Sequence, residues 1–316
     1  MKKQIPPLSN RHPILVTGAH RSGTTWVGKM LTAGGQAAYI SEPLNVLHRS
    51  GVLHLPVAQW YTYICEKNEV EFFPAFLDLL AFRYHFLGEA RSLHSRKDLL
   101  RMGRDFFIFL DGRLLNRRPI IKDPFAVFST PWFARRLGCK IVITVRHPAG
   151  FASSLKRLNW PFDMRNLLEQ PLLMRDWLEP FREQMTALAS DDIIGQASLL
   201  WRMIYGTISK YREKHPDFYI VRHEDLSLDP VTAYRSLYQV LGLKFTPRVQ
   251  KIILTSSSSE NPKEVSPSSA HAVKLDSRTN LYNWKRRLSA PEIKRIRQMT
   301  ADVAARYYSD EEWERA

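Results

Sequence analysis

Cysteine is scarce in this chain: Cys65 and Cys139 are the only two. Two thiols build neither a disulfide framework nor a four-cysteine metal site, so a reducing compartment is the simplest reading. Long apolar runs are missing as well. No stretch approaches the roughly 18 residues that a membrane helix requires, and the start (Met1-Lys2-Lys3-Gln4-Ile5-Pro6-Pro7) has no apolar signal segment. A cytoplasmic protein with no integral membrane segment is expected. Dense basic runs are few, and Arg135-Arg136 and Lys285-Arg286-Arg287 are too short for a nucleic-acid arm. Acidic residues are in deficit, 31 against 46 lysines and arginines, giving a formal charge of +15. That excess points to an anionic partner, cofactor or substrate, with a generally basic surface as the plainer alternative. Internal repeats and linkers are absent, so residues 1–316 read as one domain.

What is present alternates between strand and helix signals. Residues 13–17 (PILVT) form a short apolar run ending at Gly18, and 24–31 read as a helix ended by Gly34-Gly35. Lys140–Val145 (KIVITV) is a second buried strand, followed by a helix from Pro148 to Leu158. Residues 218–221 (FYIV) are a third, and 119–122 (PIIK) a shorter one. Asp229-Pro230 is a cap and first-turn pair that opens a helix closed by Gly242. Ser289 and Glu292 have capping-box spacing ahead of a final helix. Two further helical stretches are expected near 59–83 and 192–213, their aromatics serving mainly as core. Residues 256–269 are serine-rich and read as a mobile loop. The fold expected is α/β, P-loop-NTPase-like: three layers around a mostly parallel sheet, with helical insertions.

The chemistry concentrates first at Gly18-Ala19-His20-Arg21-Ser22-Gly23-Thr24-Thr25. The frame G-x-x-x-x-G between a strand and a helix aims backbone N–H groups at an anion. A nucleoside triphosphatase needs a lysine after the second glycine to reach the β- and γ-phosphates, and here that residue is Thr24. Arg21 is the loop's cation instead. The alternative is a tight βα turn with no ligand. A second anion site is suggested by Arg146, directly after the strand, with Ser154 eight residues on in the next helix. A guanidinium at a strand's carboxyl end and a hydroxyl on the adjoining helix can converge on one phosphate.

Together these segments resemble sulfotransferases that use 3′-phosphoadenosine 5′-phosphosulfate (PAPS). Arg21-Ser22-Gly23-Thr24-Thr25-Trp26 is similar to their 5′-phosphosulfate loop, and Val145-Arg146-His147-Pro148 through Ser154 to their 3′-phosphate strand and helix. Val221-Arg222-His223-Glu224-Asp225-Leu226 and Trp284-Lys285 agree more weakly. At His223 the family often has tyrosine near the adenosine. The resemblance runs from about residue 13 to 307. It implies that PAPS is the donor, that 3′,5′-bisphosphoadenosine (PAP) is the product, and that no metal is needed. It places Arg21, Ser22, Gly23, Thr24, Thr25, Trp26, Arg146, Ser154, His223, Arg278, Trp284 and Lys285 at the nucleotide, with residues 256–283 a mobile loop over it. Core packing is an equal alternative for Trp26.

The base is not the family's usual histidine, because Pro124 stands in that place. Lys122-Asp123-Pro124-Phe125 resembles the tyrosylprotein sulfotransferases, where the lysine assists the transition state. Glu42, in Ser41-Glu42-Pro43-Leu44, resembles the acceptor-side glutamate of the carbohydrate and bacterial branch. The catalytic set implied is therefore Glu42, Lys122 and Arg21, with His20 and His48 as substitute bases. A solvated Glu42 and a surface Lys122 are the plainer alternatives. The acceptor pocket is expected from insertions near 46–103 and 159–196, rich in aromatics such as Trp60, Tyr61, Phe72, Phe73, Tyr84, Trp160, Phe162 and Trp177. That mixture suits a carbohydrate, a lipid headgroup or a phenol. A P-loop small-molecule kinase and a non-catalytic basic protein binding anionic polymers are the alternatives.

Overall fold

In the computed structural model, described for residues 12–264 and 274–314, the chain is built on a parallel sheet. Its five strands are β1 (Ile14–Gly18), β2 (Ala37–Ser41), β3 (Arg118–Lys122), β4 (Lys140–Val145) and β5 (Tyr219–Arg222). The spatial order is β2-β3-β1-β4-β5, all parallel, so every strand ends on the same edge. Such an edge is where open α/β sheets bind ligands.

The helices are α1 (Thr24–Thr32), α2 (Glu69–Leu80), α3 (Phe86–Ala90), α4 (Arg96–Leu114), α5 (Thr130–Leu137) and α6 (Pro148–Leu158). After several short turns come α7 (Ile193–Lys214), α8 (His223–Leu228), α9 (Pro230–Leu241) and α10 (Pro247–Ser257). Then follow α11 (Ser277–Leu281), α12 (Asn283–Arg287), α13 (Ala290–Ala304) and α14 (Asp310–Glu314). Among the described residues no helix is long and apolar enough to cross a membrane.

Period-two alternation splits the strands between two cores, which makes the three layers. Ile14, Val16, Ile120 and Val142 face α1, α9 and α10 through Trp26, Leu237 and Val249. Leu15, Ile121, Ile143 and Val145 face the other way, toward Phe151, Leu200, Ile204 and Ile296 of α6, α7 and α13. Caps set the boundaries that the sequence announced. Asp229 accepts from Thr232 N and Gly242 ends α9 at φ 68°; Ser289 and Glu292 close a reciprocal capping box on α13.

Three features differ from the sequence expectation. β2 is an edge strand whose Ala-Ala opening carries little β signal. Residues 59–68 are turns rather than helix, because Tyr61 takes a left-handed φ of 61°. Asn68 also ties the turn, accepting from Cys65 N and donating to Tyr63 O at 2.8 Å each. Within 256–283, Ser256 and Ser257 close α10 and 277–281 form α11, while residues 265–273 lie outside the described residues.

Candidate active site

The loop from Gly18 to Gly23 is rigidly tied to its neighbours. Gly18 has φ 141°, and a Cβ there would lie 2.3 Å from Thr144 O. Ser22 Oγ donates to Ala19 O at 2.5 Å and meets Thr144 Oγ1 at 2.6 Å. Tyr205 OH accepts from Ala19 N and Tyr61 OH from His20 N. Arg21 and Gly23 both take positive φ, 65° and 98°. α1 then starts with no side-chain cap, leaving its first N–H groups aimed at the loop's mouth. Ser22, expected at the nucleotide, spends its hydroxyl on the loop itself.

Arginines crowd this mouth. Arg21 Nε donates to Ser154 Oγ at 3.3 Å, and Arg146 Nη1 donates to Arg21 O at 3.1 Å. The two anion sites read separately in the sequence are thus adjoining. Burial, then the Arg146 and Arg157 charges, pushes Arg21 down to about 10. Burial also lowers Arg146, with Arg287 and Arg157 adding to the effect against Glu224. Arg157 is lowered by burial and by Arg287. Four guanidiniums converge here, with Glu264 pairing Arg287 at 2.9 Å, and the remaining mutual repulsion fits an anionic ligand.

His223 opens α8 beside them. Burial, then Arg146 and Arg21, lowers it to about 3, so its ring is neutral at pH 7. Among the described residues neither ring nitrogen has a partner, and a Cβ at position 23 would sit 2.8 Å from Nδ1. Only glycine at 23 leaves this recess. Trp26 stands edge-on to His223, ring centroids 6.0 Å apart, and its N–H goes to Ser256 Oγ at 3.0 Å.

On the other side of the loop, Glu42 follows β2 at φ 48° and forms an ion pair with Lys122, the last residue of β3. Glu42 N donates to Lys122 O at 2.7 Å, and Asn45 Nδ2 donates to Glu42 Oε2 at 2.8 Å. Lys122 is not at the surface: it is 1% exposed, under α1. Its stem and the Tyr39 ring press on Gly28, where a Cβ would lie 2.8 Å from Tyr39 Cε2 and 3.1 Å from Lys122 Cβ. Asp123 pins the Glu42 turn, accepting from Leu44 N at 2.5 Å and Phe125 N at 2.9 Å. Burial, with Glu42 adding to it, raises Asp123 to about 7.

A single cavity of about 630 Å³ runs along these strand ends. Arg21, Gly23, Thr24, Thr25, Trp26, Arg146, Ser154, His223 and Glu42 all line it. Of the expected acceptor aromatics, Trp60, Trp160 and Phe162 do so as well, Trp60 lying tilted against Phe125 with ring centroids 4.4 Å apart. Tyr61, Phe72, Phe73, Tyr84 and Trp177 pack into or against the core instead. His20 lines the cavity with Nδ1 held by Tyr61 OH at 2.6 Å, and burial lowers it to about 4. His48 turns both ring nitrogens to the carbonyls of Asn45 and Leu53, off this cavity.

Three expected nucleotide contacts lie elsewhere. Trp284 is buried and stacks on His147 at 5.1 Å; Lys285 donates to Glu314 O at 2.9 Å; Arg278 donates to Leu228 O at 2.9 Å. The turn of α12 explains this, since it sends Trp284 inward and Lys285 outward while Arg287 reaches the cavity. Arg157 and Arg287 were missed in the sequence. Arg157 had a readable signal, three residues after Ser154 on the same helical face. Asn280 and Ser277, on α11 within the 256–283 segment expected over the nucleotide, also line the cavity.

Comparison with known proteins follows the same lines. Residues 11–307 match the family described as the sulfotransferase domain. Carbohydrate sulfotransferase 1 of Danio rerio is 23% identical over an alignment 335 residues long, covering 89% of this chain and 74% of that protein. The sulfotransferase domain of the Synechococcus olefin synthase superposes with a TM-score of 0.50 at 17% identity, covering 97% of this chain and 98% of that one. A mouse sulfotransferase solved as its PAP complex has a TM-score of 0.44 at 12% identity, covering 96% of this chain and 88% of that one.

Proposed function

The chain belongs to the sulfotransferase family, and on that footing we propose that it takes its sulfuryl group from PAPS and passes it to a hydroxyl or amine of a carbohydrate, lipid or other small acceptor. One observation carries the reading: the order of groups along the strand ends. It runs Glu42 (β2), Lys122 (β3), loop 18–25 (β1), Arg146 (β4) and His223 (β5). Carboxylate, phosphate cradle, guanidinium cluster and neutral recess thus line one cavity, with the Lys122 ammonium buried behind Glu42 as its ion-pair partner. That sequence suits an acceptor, a transferring group, a 5′-phosphate, a 3′-phosphate and a base.

When bound, PAPS supplies an activated sulfur with a phosphate leaving group. The chain's own residues do the rest. Loop amides, Thr24 and Thr25 hold the 5′ end, and Arg146, Ser154, Arg157 and Arg287 hold the 3′-phosphate. His223 and Trp26 flank the adenosine. Glu42 takes the acceptor proton as the new S–O bond forms and the bond to the bridging phosphate oxygen breaks. Arg21 and Lys122 offset the charge gathering on that oxygen. The ion pair with Glu42 holds the Lys122 ammonium against the Glu42 side of the cavity. A kinase reading fails at Thr24, which has no ammonium to offer a γ-phosphate. A screen of sugar, lipid and phenolic acceptors with labelled PAPS tests the proposal. Transfer to one class supports it; PAPS turnover with none, in a protein that binds PAP, favours the non-catalytic alternative.

A further inference from the structure

Helix α4 is apolar on two faces. Met102, Asp105, Phe109 and Gly112 turn inward. On the opposite side Leu100 is 75% exposed, Phe107 66% and Leu114 72%, with Leu99 and Leu110 beside them. Positions 100, 103, 107, 110 and 114 fall within an arc of about 80° at a helix's 100° per residue. Gly103 lies in that arc, and among the described residues a Cβ added there would meet nothing within 4 Å. Exposed Phe86 and Leu87 of α3 adjoin it, through the Phe86–Phe106 contact at 6.1 Å. A contiguous patch of this kind marks an interaction surface rather than scattered surface leucines.

The charge around the patch says what it meets. α4 carries Arg96, Lys97, Arg101, Arg104 and Arg113 against Asp98, Asp105 and Asp111. Each aspartate is already engaged: Asp98 with Arg49 at 2.9 Å, Asp105 with Arg104 at 2.8 Å, and Asp111 with Arg117 at 2.6 Å. Arg104 is spent on Asp105 and Arg101 lies 3.9 Å from Asp98, so Arg96, Lys97 and Arg113 carry the outward balance, which is cationic. A second copy of the chain would bring like charges together around the stripe, whereas anionic headgroups neutralise them while the leucines and Phe107 enter the acyl boundary. We infer that the outer face of α4 docks peripherally on the surface of an anionic lipid bilayer. α4 also supplies Arg104, Ile108 and Phe109 to a second cavity of about 120 Å³, which shares Glu42, Asn45 and Leu47 with the large one. Docking would therefore hold the lipid surface one helix away from the Glu42 side of the site.

The test is co-sedimentation of the full chain with phosphatidylcholine vesicles, with and without phosphatidylglycerol. Binding is expected only to the anionic vesicles, weakening with salt. The variant Leu100→Gln/Phe107→Gln/Leu114→Gln should lose about tenfold or more of it. A variant with Arg96, Lys97 and Arg101 changed to Gln should lose it too, while both keep the wild-type thermal midpoint and PAP affinity. No vesicle binding by the wild type, or equal binding by the leucine–phenylalanine variant, overturns the inference. So does a concentration-dependent dimer, seen by light scattering, that the same variant dissolves.

Discussion

Glu42 and Lys122 end neighbouring strands and face each other as an ion pair, closed by the 2.7 Å bond from Glu42 N to Lys122 O. The pair comes from residues 80 positions apart, and only the β2–β3 register brings them together. If Glu42 is the base, Glu42→Gln keeps the shape and the Asn45 contact but removes the proton acceptor. Turnover should fall about 10²- to 10⁴-fold with PAP affinity little changed. Measuring kcat and the PAP Kd on the same preparation separates the two; wild-type turnover would end the assignment.

Gly28 gives a sharper test of the pair's placement. Alanine is the better helix former by about 1 kcal/mol, so propensity alone predicts a gain. Its Cβ would strike the Tyr39 ring at 2.8 Å and the Lys122 stem at 3.1 Å. Gly28→Ala should therefore lower kcat, because Lys122 must shift. Unchanged kcat would show that Lys122 does not need its present position.

Arg146 should confer the preference for a 3′-phosphate. A lost charged hydrogen bond costs about 1.5–3 kcal/mol, or roughly 10- to 150-fold in affinity. Arg146→Ala should weaken PAP by that order and 5′-AMP much less, which calorimetric titration of both nucleotides reads directly. Equal weakening of both would assign Arg146 to loop support through Arg21 O instead.

Asp123 should give the fold a pH signature. Its carboxyl titrates near 3.8 unfolded and about 7 folded, raised by burial and by Glu42. The folded state then holds the extra proton between those values, so this group's contribution to stability falls as pH rises from about 4 to 7. Asp123→Asn mimics the protonated form but gives up one of two acceptors, for Leu44 N or Phe125 N. It should be less stable by about 1–3 kcal/mol near pH 4.5, and the gap should narrow by pH 7.5 in urea unfolding. A gap that widens with pH contradicts the raised pKa.

Much of this site was legible because short local patterns encode it. The strand–loop–helix at 14–32, the strand and helix at 140–158, and both capping pairs rest on apolar runs, prolines and caps read within a dozen residues. β2 was hidden because an edge strand opening on two alanines has little intrinsic preference. The cavity contribution of Arg287, rather than Lys285, depends on the phase of a five-residue helix, which composition does not set. The burial of Lys122 and the role of Asp123 depend on long-range register between β2 and β3, again beyond any local signal.

Nucleotide preference tests the site most directly and needs no knowledge of the acceptor. Titration of the full chain with PAP, with 5′-AMP and with ATP plus magnesium is the measurement. Tight PAP binding, at least about tenfold stronger than either competitor, is the predicted result for a loop without a lysine beside an arginine cluster. ATP with magnesium binding as tightly as PAP, or a 3′-phosphate that makes no difference, would contradict it.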